Sequence, residues 1–289
     1  ALASALSFGL SGALAKGMLG AGWSTGGAVA VRVAVAAAVL LPVTAYMVRG
    51  KVRLLRRHAP MIVVYGVVAV AGTQLAFFNA VARMDVGLAL LIEYTAPVAV
   101  ATWLWVRHGH RPNATMVAGA AIAGLGLVLA LDLAGAGVDP RGVAWAVAAM
   151  CGLASYFVLS ARELDDLPPL VLAGAGLLVG IVVLLAAGAL GWVPLTMGTD
   201  PVVYAAATVP WWVPVLGLGV VTAAFAYITG IEASRRLGAR LASFVALTEV
   251  LAALGFAWLL LAELPGPVQL VGAGLILLGV VTVKRAERP

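Results

Sequence analysis

Residues 168–190 read PPLVLAGAGLLVGIVVLLAAGAL and contain no charged side chain. An α-helix rises about 1.5 Å per residue, so a helix over this stretch would cross the hydrocarbon core of a bilayer, which is about 30 Å thick. Similar apolar runs, most of them separated by short linkers, lie at 1–19, 26–48, 59–82, 86–106, 115–134, 141–160, 211–231, 238–260 and 268–284. A helix formed by any of these runs would be apolar on all sides, and the runs do not show the alternation of apolar and polar residues that is typical of barrel strands. The sequence therefore predicts an all-α integral membrane protein with ten transmembrane helices, not a β-barrel.

The overall composition favours a membrane protein and excludes several other classes. Apolar residues make up 63% of the chain and charged residues 10%, and the mean hydropathy is +1.09. Neither a water-soluble domain nor a disordered chain has such a composition. The single Cys151 excludes an internal disulfide, and with only three histidines we expect no metal site and no cofactor. The net charge of +6 is interpreted as basic loops at a membrane surface, not as a nucleic-acid site.

The positions of the lysines and arginines predict the orientation of the chain. With a cytoplasmic N-terminus, most of the 18 basic residues fall on the cytoplasmic side, within 49–57, 107–111, 162, 235–240 and 284–288. Lys16, Arg83 and Arg141 fall on the other side, and Arg32 lies inside a span. This positive-inside bias predicts that both termini are cytoplasmic. The linker 192–210 is then extracytoplasmic, and we expect a short surface helix in it.

An internal repeat emerges when the chain is aligned with itself at an offset of 153 residues. The matched pairs include Gly66 with Gly219, Arg83 with Arg236, Trp105 with Trp258, Gly119 with Gly272 and Gly126 with Gly279. The offset holds without gaps across three consecutive spans, which predicts a repeating unit of five helices. Because five is odd, the second copy enters the membrane from the opposite side. Many secondary transporters have this inverted repeat and place their substrate site at the midplane between the halves. We therefore expect repeats at 1–134 and 135–289 in a monomer.

The chain resembles the EamA-type members of the drug/metabolite transporter superfamily over essentially its whole length. The resemblance is carried by Phe8-Gly9, Lys16, Arg32, residues 89–98 (ALLIEYTAPV), residues 247–263, Pro265, Gln269, Gly272 and Gly279. It implies a ten-helix carrier of small organic metabolites. Three positions depart from the family pattern: Ser7 replaces a tryptophan, His110 a turn glutamate and Glu249 a frequent proline. Residues 92–97 look closer to the threonine/homoserine exporters, which favours amino-acid export.

Four ionisable residues fall within the predicted spans: Lys16, Arg32, Glu93 and Glu249. A charge at the bilayer centre costs about 2.5–3.5 kcal/mol on insertion scales, so each requires an explanation. Arg32 and Glu93 lie at a similar depth below the outer surface, which makes an ion pair between them feasible. The pair could fix helix packing or close an outer gate, and Arg32 and Lys16 could instead bind a substrate carboxylate. Arg32 could also extend to the outer headgroups.

Glu249 and Pro97 suggest a polar site near the midplane. Glu249 has no basic residue at matching depth, and an unpaired buried carboxyl group tends to hold a proton, as a proton-coupled carrier requires. A buried acid bonded to a backbone carbonyl would be protonated as well. Pro97 frees the carbonyl of Glu93 and predicts a kink or a break in the fourth span. The remaining polar candidates, each of which could instead be a simple interhelical hydrogen bonder, are Gln74, Tyr94, Tyr156, Tyr227 and Thr248.

These observations predict a secondary active transporter that moves small organic metabolites by alternating access. The partners expected are the substrate, the lipid bilayer and protons. The richness in Ala, Gly and Val favours the inner membrane of a high-GC bacterium. A passive facilitator is the alternative within this class. An intramembrane enzyme would need a nucleophile and a base at one depth, and the three histidines all fall in predicted loops. The chain also lacks the ATP-binding GxxxxGK[ST] motif and the hydrolase motifs HExxH and GxSxG.

Overall fold

A computed structural model describes residues 1–49, 52–81, 83, 86–109, 112–131, 139–162 and 167–286. The helices are α1 (Leu2–Gly20), α2 (Thr25–Met47), α3 (Val52–Val64), α4 (Thr73–Val81), α5 (Val86–Glu93), α6 (Ala96–His108), α7 (Ala114–Leu131), α8 (Pro140–Ser160), α9 (Pro169–Ala189), α10 (Trp212–Leu216), α11 (Ala226–Ala246), α12 (Thr248–Leu261) and α13 (Pro267–Ala286). Two π-helical segments join consecutive helices: π1 (Tyr65–Gly72) and π2 (Gly217–Phe225). A small antiparallel hairpin pairs β1 (Val202–Val203) with β2 (Thr208–Val209).

The helices in the described part of the chain have the length and the apolar surface of membrane-spanning helices. Eight helical stretches are long and apolar enough to cross a membrane by length and composition. Two shorter apolar helices complete the set: Ala114–Ala130 coincides with the predicted span 115–134, and Thr248–Leu261 with the second part of the predicted span 238–260. Apolar side chains also face outward, as on α9, where Leu178, Val182 and Leu185 are 41–60% exposed along one helix face. Such a face is stable against lipid but would be costly in water.

The fourth predicted span is two helices instead of one. α5 ends at Glu93 and α6 begins at Ala96, with Pro97 in its first turn. The sequence left a kink and a break as alternatives, and the structure has the break. The hydroxyl of Thr95 donates to the carbonyl of Ile92 at 2.6 Å, so the interruption is partly satisfied by a local side chain.

The ninth predicted span is also broken, which the sequence analysis did not predict. Instead of one helix over 238–260, α11 continues to Ala246 and α12 starts at Thr248. The hydroxyl of Thr248 donates to the carbonyl of Val245 at 2.7 Å. No proline or glycine marks this break. However, Thr248 lies 153 residues after Thr95, and the two threonines form the same type of bond at the two interruptions. The repeat offset was therefore the signal available in the sequence.

The boundary between the eighth and ninth predicted spans is a single residue rather than a loop. The helical stretch runs from 212 to 246 and departs from helical geometry at Gly238, where φ is +76° and ψ is 159°. This left-handed φ is accessible to glycine because glycine has no Cβ. Arg235, Arg236 and Arg240 therefore lie on helical segments beside this turn.

The prediction of a short surface helix in the linker 192–210 is wrong. Its described structure is the hairpin of β1 and β2, preceded by an extended stretch that packs on the start of α2. Val202 and Val209 are paired in its register, and the prolines at 201 and 210 flank the two strands. Proline cannot continue a helix without losing a hydrogen bond, which favours the extended conformation.

Some sequence predictions lie outside the described residues. They concern His110, the basic residues Lys51, Arg111 and Arg288, and the expected boundary between residues 134 and 135.

Candidate functional site

A cavity of about 290 Å³ lies between helices of the first and second halves of the chain. Of the ten candidates chosen from the sequence, those that line it are Arg32, Gln74, Glu93, Tyr94, Tyr156, Tyr227 and Glu249. They come from α2, α4, α5, α8, α11, α12 and the break after α5. Small-molecule sites are typically concave, mostly apolar and about 300–1,000 Å³ in volume, so this cavity suits a small ligand.

Arg32 is held inside the protein by two contacts. Its Nη2 donates to the carbonyl oxygen of Thr222 at 2.6 Å, and its Cζ lies 5.5 Å from the centroid of the Phe8 ring. Thr222 belongs to π2, and π-helical turns recur at functional sites. Arg32 is 9% exposed, so the structure does not support its extension to the outer headgroups.

The expected ion pair of Arg32 is absent among the described residues: neither Glu93 nor Glu249 lies within 4 Å of its guanidinium nitrogens. Arg32 and Glu249 are nevertheless close enough for their charges to attract. The two residues come from opposite halves of the chain. Sequence depth alone could not distinguish these partners because it ignores the lateral positions of the helices.

Glu249 lies in the first turn of α12, beside the break at Leu247. Its carboxyl group is within hydrogen-bonding reach of the Tyr94 side chain, which occupies the break between α5 and α6. Glu93 is near enough for its charge to repel that of Glu249. Two ionised carboxylates close together in a low-dielectric site repel each other strongly.

A chain of aromatic rings crosses the cavity. The ring centroids of Phe8 and Tyr227 are 5.4 Å apart, those of Tyr227 and Tyr156 5.8 Å, and those of Tyr156 and Tyr65 6.0 Å. The first two pairs pack edge to face, at interplanar angles of 76° and 81°, which is a favourable arrangement, and the third pair is tilted at 43°. The side chain of Tyr227 also hydrogen-bonds Gln74, so the chain links α1, α4, α8 and α11.

Three sequence candidates lie outside the cavity lining. Lys16 forms an ion pair with Glu263, with both side chains at least half exposed. Pro97 is in the first turn of α6, and Thr248 is bonded to the backbone at the second break. The latter two shape the helices that carry the site instead of lining it.

Several lining residues were missed as candidates. They share small or aromatic side chains with no charge: Ser4, Ser11, Thr73, Phe77, Phe157 and Ser234. Ser4 ties α1 to α11, since its hydroxyl donates to the carbonyl of Ala226 at 2.9 Å. Serines and phenylalanines are common in membrane helices, so only their position on helices already known to face the cavity could have marked them.

The cavity is closed toward one end of the bundle, where α1 ends and the β-hairpin lies; we call this the hairpin end. Its lining follows α1 from Ala1 only as far as Gly12. Beyond Gly12, Tyr204 of the hairpin donates from its hydroxyl to the carbonyl of Leu14 at 3.0 Å. The amide of Ala205 donates to the carbonyl of Leu260 at 2.8 Å, and Lys16 pairs with Glu263. The hairpin therefore joins the ends of α1 and α12.

The fold and the cavity define a polytopic helical membrane protein with a polar site between its halves. The model of the EamA-like transporter family matches the chain twice, at residues 1–131 and 140–285. The chain belongs to the EamA-like transporter family, within the drug/metabolite transporter superfamily, and is a membrane transporter. A solved crystal structure is similar over 99% of both chains, with 21% identity and a TM-score of 0.76, which speaks for the fold alone. Comparison with curated proteins gives no match.

Proposed function

We propose that the protein is a proton-coupled secondary transporter that moves small organic metabolites by alternating access. The observation that carries the proposal is the cavity between the two family repeats, whose lining contains Arg32 together with the carboxyl groups of Glu93 and Glu249. Buried ionisable groups are expensive in a membrane and mark substrate or proton pathways. In this proposal Glu249 is the protonation site, and the breaks beside Glu93 and Glu249 shape the polar midplane.

The proposed architecture is two inverted five-helix repeats, 1–134 and 135–289. Its support comes from features that recur at the offset of 153 residues. π1 maps onto 218–225 of π2, and the two helix breaks also correspond. Gln74 maps onto Tyr227, and these two side chains contact each other. A contact between equivalent residues is expected at a two-fold pseudo-symmetry axis.

The proposed orientation has both termini in the cytoplasm of a bacterial cell, with the protein as a monomer in the inner membrane. The hairpin end is then extracytoplasmic. We propose that the cavity opens to the cytoplasm in this orientation, an inward-facing state; the support is that its lining extends to Ala1 whereas the hairpin end is closed. We propose export as the direction and amino acids as the first substrates to test, from the resemblance of residues 92–97 to threonine/homoserine exporters.

Counterflow in proteoliposomes tests this proposal. Vesicles are loaded with unlabelled pools of amino acids and related metabolites, and entry of labelled compound is followed with and without a proton gradient. For the wild type we expect at least one pool to drive accumulation that responds to the gradient. In Glu249→Gln that response should disappear because the amide cannot exchange the proton.

Glu232→Gln is the matched control, because Glu232 lies outside the cavity lining and bonds Arg236 on its own helix. It should keep both the exchange and the response to the gradient. Wild-type exchange that ignores the gradient would identify a passive facilitator instead. A well-folded protein that exchanges no pool would overturn the amino-acid proposal and direct the search to drug-like or lipid-like compounds.

A further inference from the structure

The cavity contains two buried hydrogen-bond donors that have no acceptor among the described residues. They are the Nε–H of Arg32 and the hydroxyl of Tyr156. Both residues line the cavity and are over nine-tenths buried, at 9% and 6% exposure. A buried donor without an acceptor costs about 1–3 kcal/mol, and more for a charged group, so such groups usually have a partner in the working state of a protein.

Resting on the proposed function, we propose that the substrate carries a carboxylate, which binds Arg32 and Tyr156 in this cavity. A carboxylate accepts several hydrogen bonds and matches the planar donor pattern of a guanidinium group. Arg32 is preorganised for this role, since Thr222 and the Phe8 ring fix its side chain from two sides. Phe8, Phe77 and Phe157 offer the rest of the substrate an apolar, aromatic surface.

The charges of the cavity limit how an anion can enter. Arg32, Glu93 and Glu249 line the same cavity. The charge of Arg32 attracts that of Glu249 without an ion pair within 4 Å, and the charge of Glu93 repels it. Within the part of the chain that the structure describes, the other titratable side chains near Glu249 are the hydroxyls of Tyr94, Tyr156 and Tyr227. One cation cannot balance both an ionised Glu249 and an ionised substrate in a low-dielectric cavity. We therefore expect the substrate carboxylate to neutralise the charge of Arg32 in place of Glu249, while Glu249 takes up a proton from the bulk solvent.

Binding to the purified full-length protein in detergent tests this inference without transport. The probes are phenylacetate, its neutral amide phenylacetamide, the cation phenethylammonium and the zwitterion phenylalanine, which share one ring size. We expect a carboxylate probe to bind at least ten-fold more tightly than the amide and the amine. Comparison of phenylacetate with phenylalanine then shows whether the site takes a simple carboxylate or an aminocarboxylate.

Substitutions at Arg32 and Tyr156 test whether these two donors bind the carboxylate. Tyr156→Phe removes only the hydroxyl and should weaken carboxylate binding several-fold. Arg32→Gln should weaken it at least ten-fold, and Arg32→Lys should recover part of the loss. Arg236→Gln is the control, because Arg236 is exposed and pairs with Glu232. Tyr156→Phe keeps the ring packing, so it remains informative if Arg32→Gln does not fold.

Calorimetric titration in two buffers of different ionisation enthalpy measures how many protons are taken up when the carboxylate binds. We expect uptake of about one proton per bound carboxylate in the wild type and none in Glu249→Gln. The inference is overturned if the amide binds as well as the acid, if neither carboxylate shows saturable binding, or if Tyr156→Phe and Arg32→Gln both keep full affinity. Binding without proton uptake would overturn its charge-replacement step.

The outcomes separate this inference from the proposed function. If a neutral or cationic pool drives counterflow and no carboxylate binds, the transporter proposal stands and the inference of a carboxylate substrate is overturned. If carboxylates bind in an Arg32-dependent manner but no pool exchanges in vesicles, the carboxylate site stands and the transporter proposal is overturned.

Discussion

Gly9 and Gly12 lie on α1 near the cavity, and a methyl group at each would meet different surroundings. A Cβ on Gly9 would lie 2.6 Å from the Cβ of Ala252 and 2.8 Å from the carbonyl oxygen of Glu249. No described heavy atom lies within 4 Å of a Cβ on Gly12. Gly9 therefore allows α1 to press against the backbone that carries Glu249, whereas Gly12 faces the cavity.

We expect Gly9→Ala to destabilise the protein by about 1–3 kcal/mol, because overpacking a close helix contact costs about this much. Gly12→Ala has the same change in helix propensity but no steric conflict, and should leave the melting temperature unchanged or slightly raised. Thermal unfolding of the two purified variants measures the difference. Equal melting temperatures would show that α1 and α12 are less tightly packed than the structure indicates.

At the scale of the helices, Thr95 and Thr248 occupy corresponding breaks. Each hydroxyl donates to the carbonyl three residues earlier, at 2.6 Å and 2.7 Å. Thr248→Val keeps the side-chain shape and removes the bond. We expect a loss of about 1 kcal/mol in unfolding free energy, which is the usual net contribution of one hydrogen bond and applies here to a buried one. Transport should fall too, because Glu249 follows directly in the chain.

Thr282→Val is the control for that prediction. The Thr282 hydroxyl bonds the Leu278 carbonyl inside the regular helix α13, and this bond is exposed, whereas that of Thr248 is buried. Its replacement should change neither thermal stability nor counterflow measurably. If Thr248→Val also changes neither, the threonines do not maintain the breaks.

The hairpin provides a second prediction at this scale. Tyr204 is half-buried, and burial raises the pKa of its hydroxyl to about 12. Its bond to the Leu14 carbonyl requires the neutral phenol. The stabilisation is therefore complete below the unfolded pKa of about 10 and is lost as the pH rises through about 12.

Tyr204→Phe should remove about 0.5–1.5 kcal/mol of stability at neutral pH by deleting this bond. The variant should also abolish the part of the alkaline destabilisation that Tyr204 causes. Chemical unfolding of wild type and variant at pH 8 and pH 11 provides the measurement. A wild type and a variant that lose equal stability between the two pH values would contradict the assignment.

At the scale of the whole molecule, α7 and α13 pack backbone against backbone along a seam of glycines. A Cβ on Gly126 would lie 2.6 Å from the amide nitrogen of Ile276 and 2.7 Å from the carbonyl oxygen of Gly272. Gly124, on the same helix, has no described heavy atom within 4 Å of its Cβ position. Close approach through small residues is a general way to associate helices in membranes.

Gly126→Ala should therefore lower the stability of the folded protein by about 1–3 kcal/mol, and Gly124→Ala should not. The melting temperatures of the two variants in the same detergent decide this. A similar value for both would mean that the seam can relax without cost.

The proposed orientation can be checked by labelling. In a Cys151→Ser background, a cysteine is placed either at Thr199 before the hairpin or at Lys284 near the end of α13; both positions are exposed. A membrane-impermeant maleimide should label Thr199→Cys in intact cells and Lys284→Cys only after permeabilisation. The opposite result would reverse the topology, and labelling of both in intact cells would contradict cytoplasmic termini.

The amino-acid sequence by itself was enough to place the spans. Each long apolar run became helical, either as one helix or as consecutive helical segments, because the preference of a segment for lipid depends on its own side chains. Pro97 likewise marked the first break, since proline removes a hydrogen bond wherever it stands. The second break could also have been inferred from the repeat, because Thr248 lies 153 residues after Thr95, which stands at the first break.

Only the tertiary structure decided which polar groups meet. Depth along a helix suggested Arg32 with Glu93, whereas packing brings Arg32 toward Glu249 and Lys16 to Glu263. The π-helical segments, the hairpin that closes one end and the unpaired donors of Arg32 and Tyr156 were likewise not predicted. The physical reason is that insertion into a membrane is a property of one segment. A binding site depends instead on the rotation and lateral position of several segments, which their mutual packing sets.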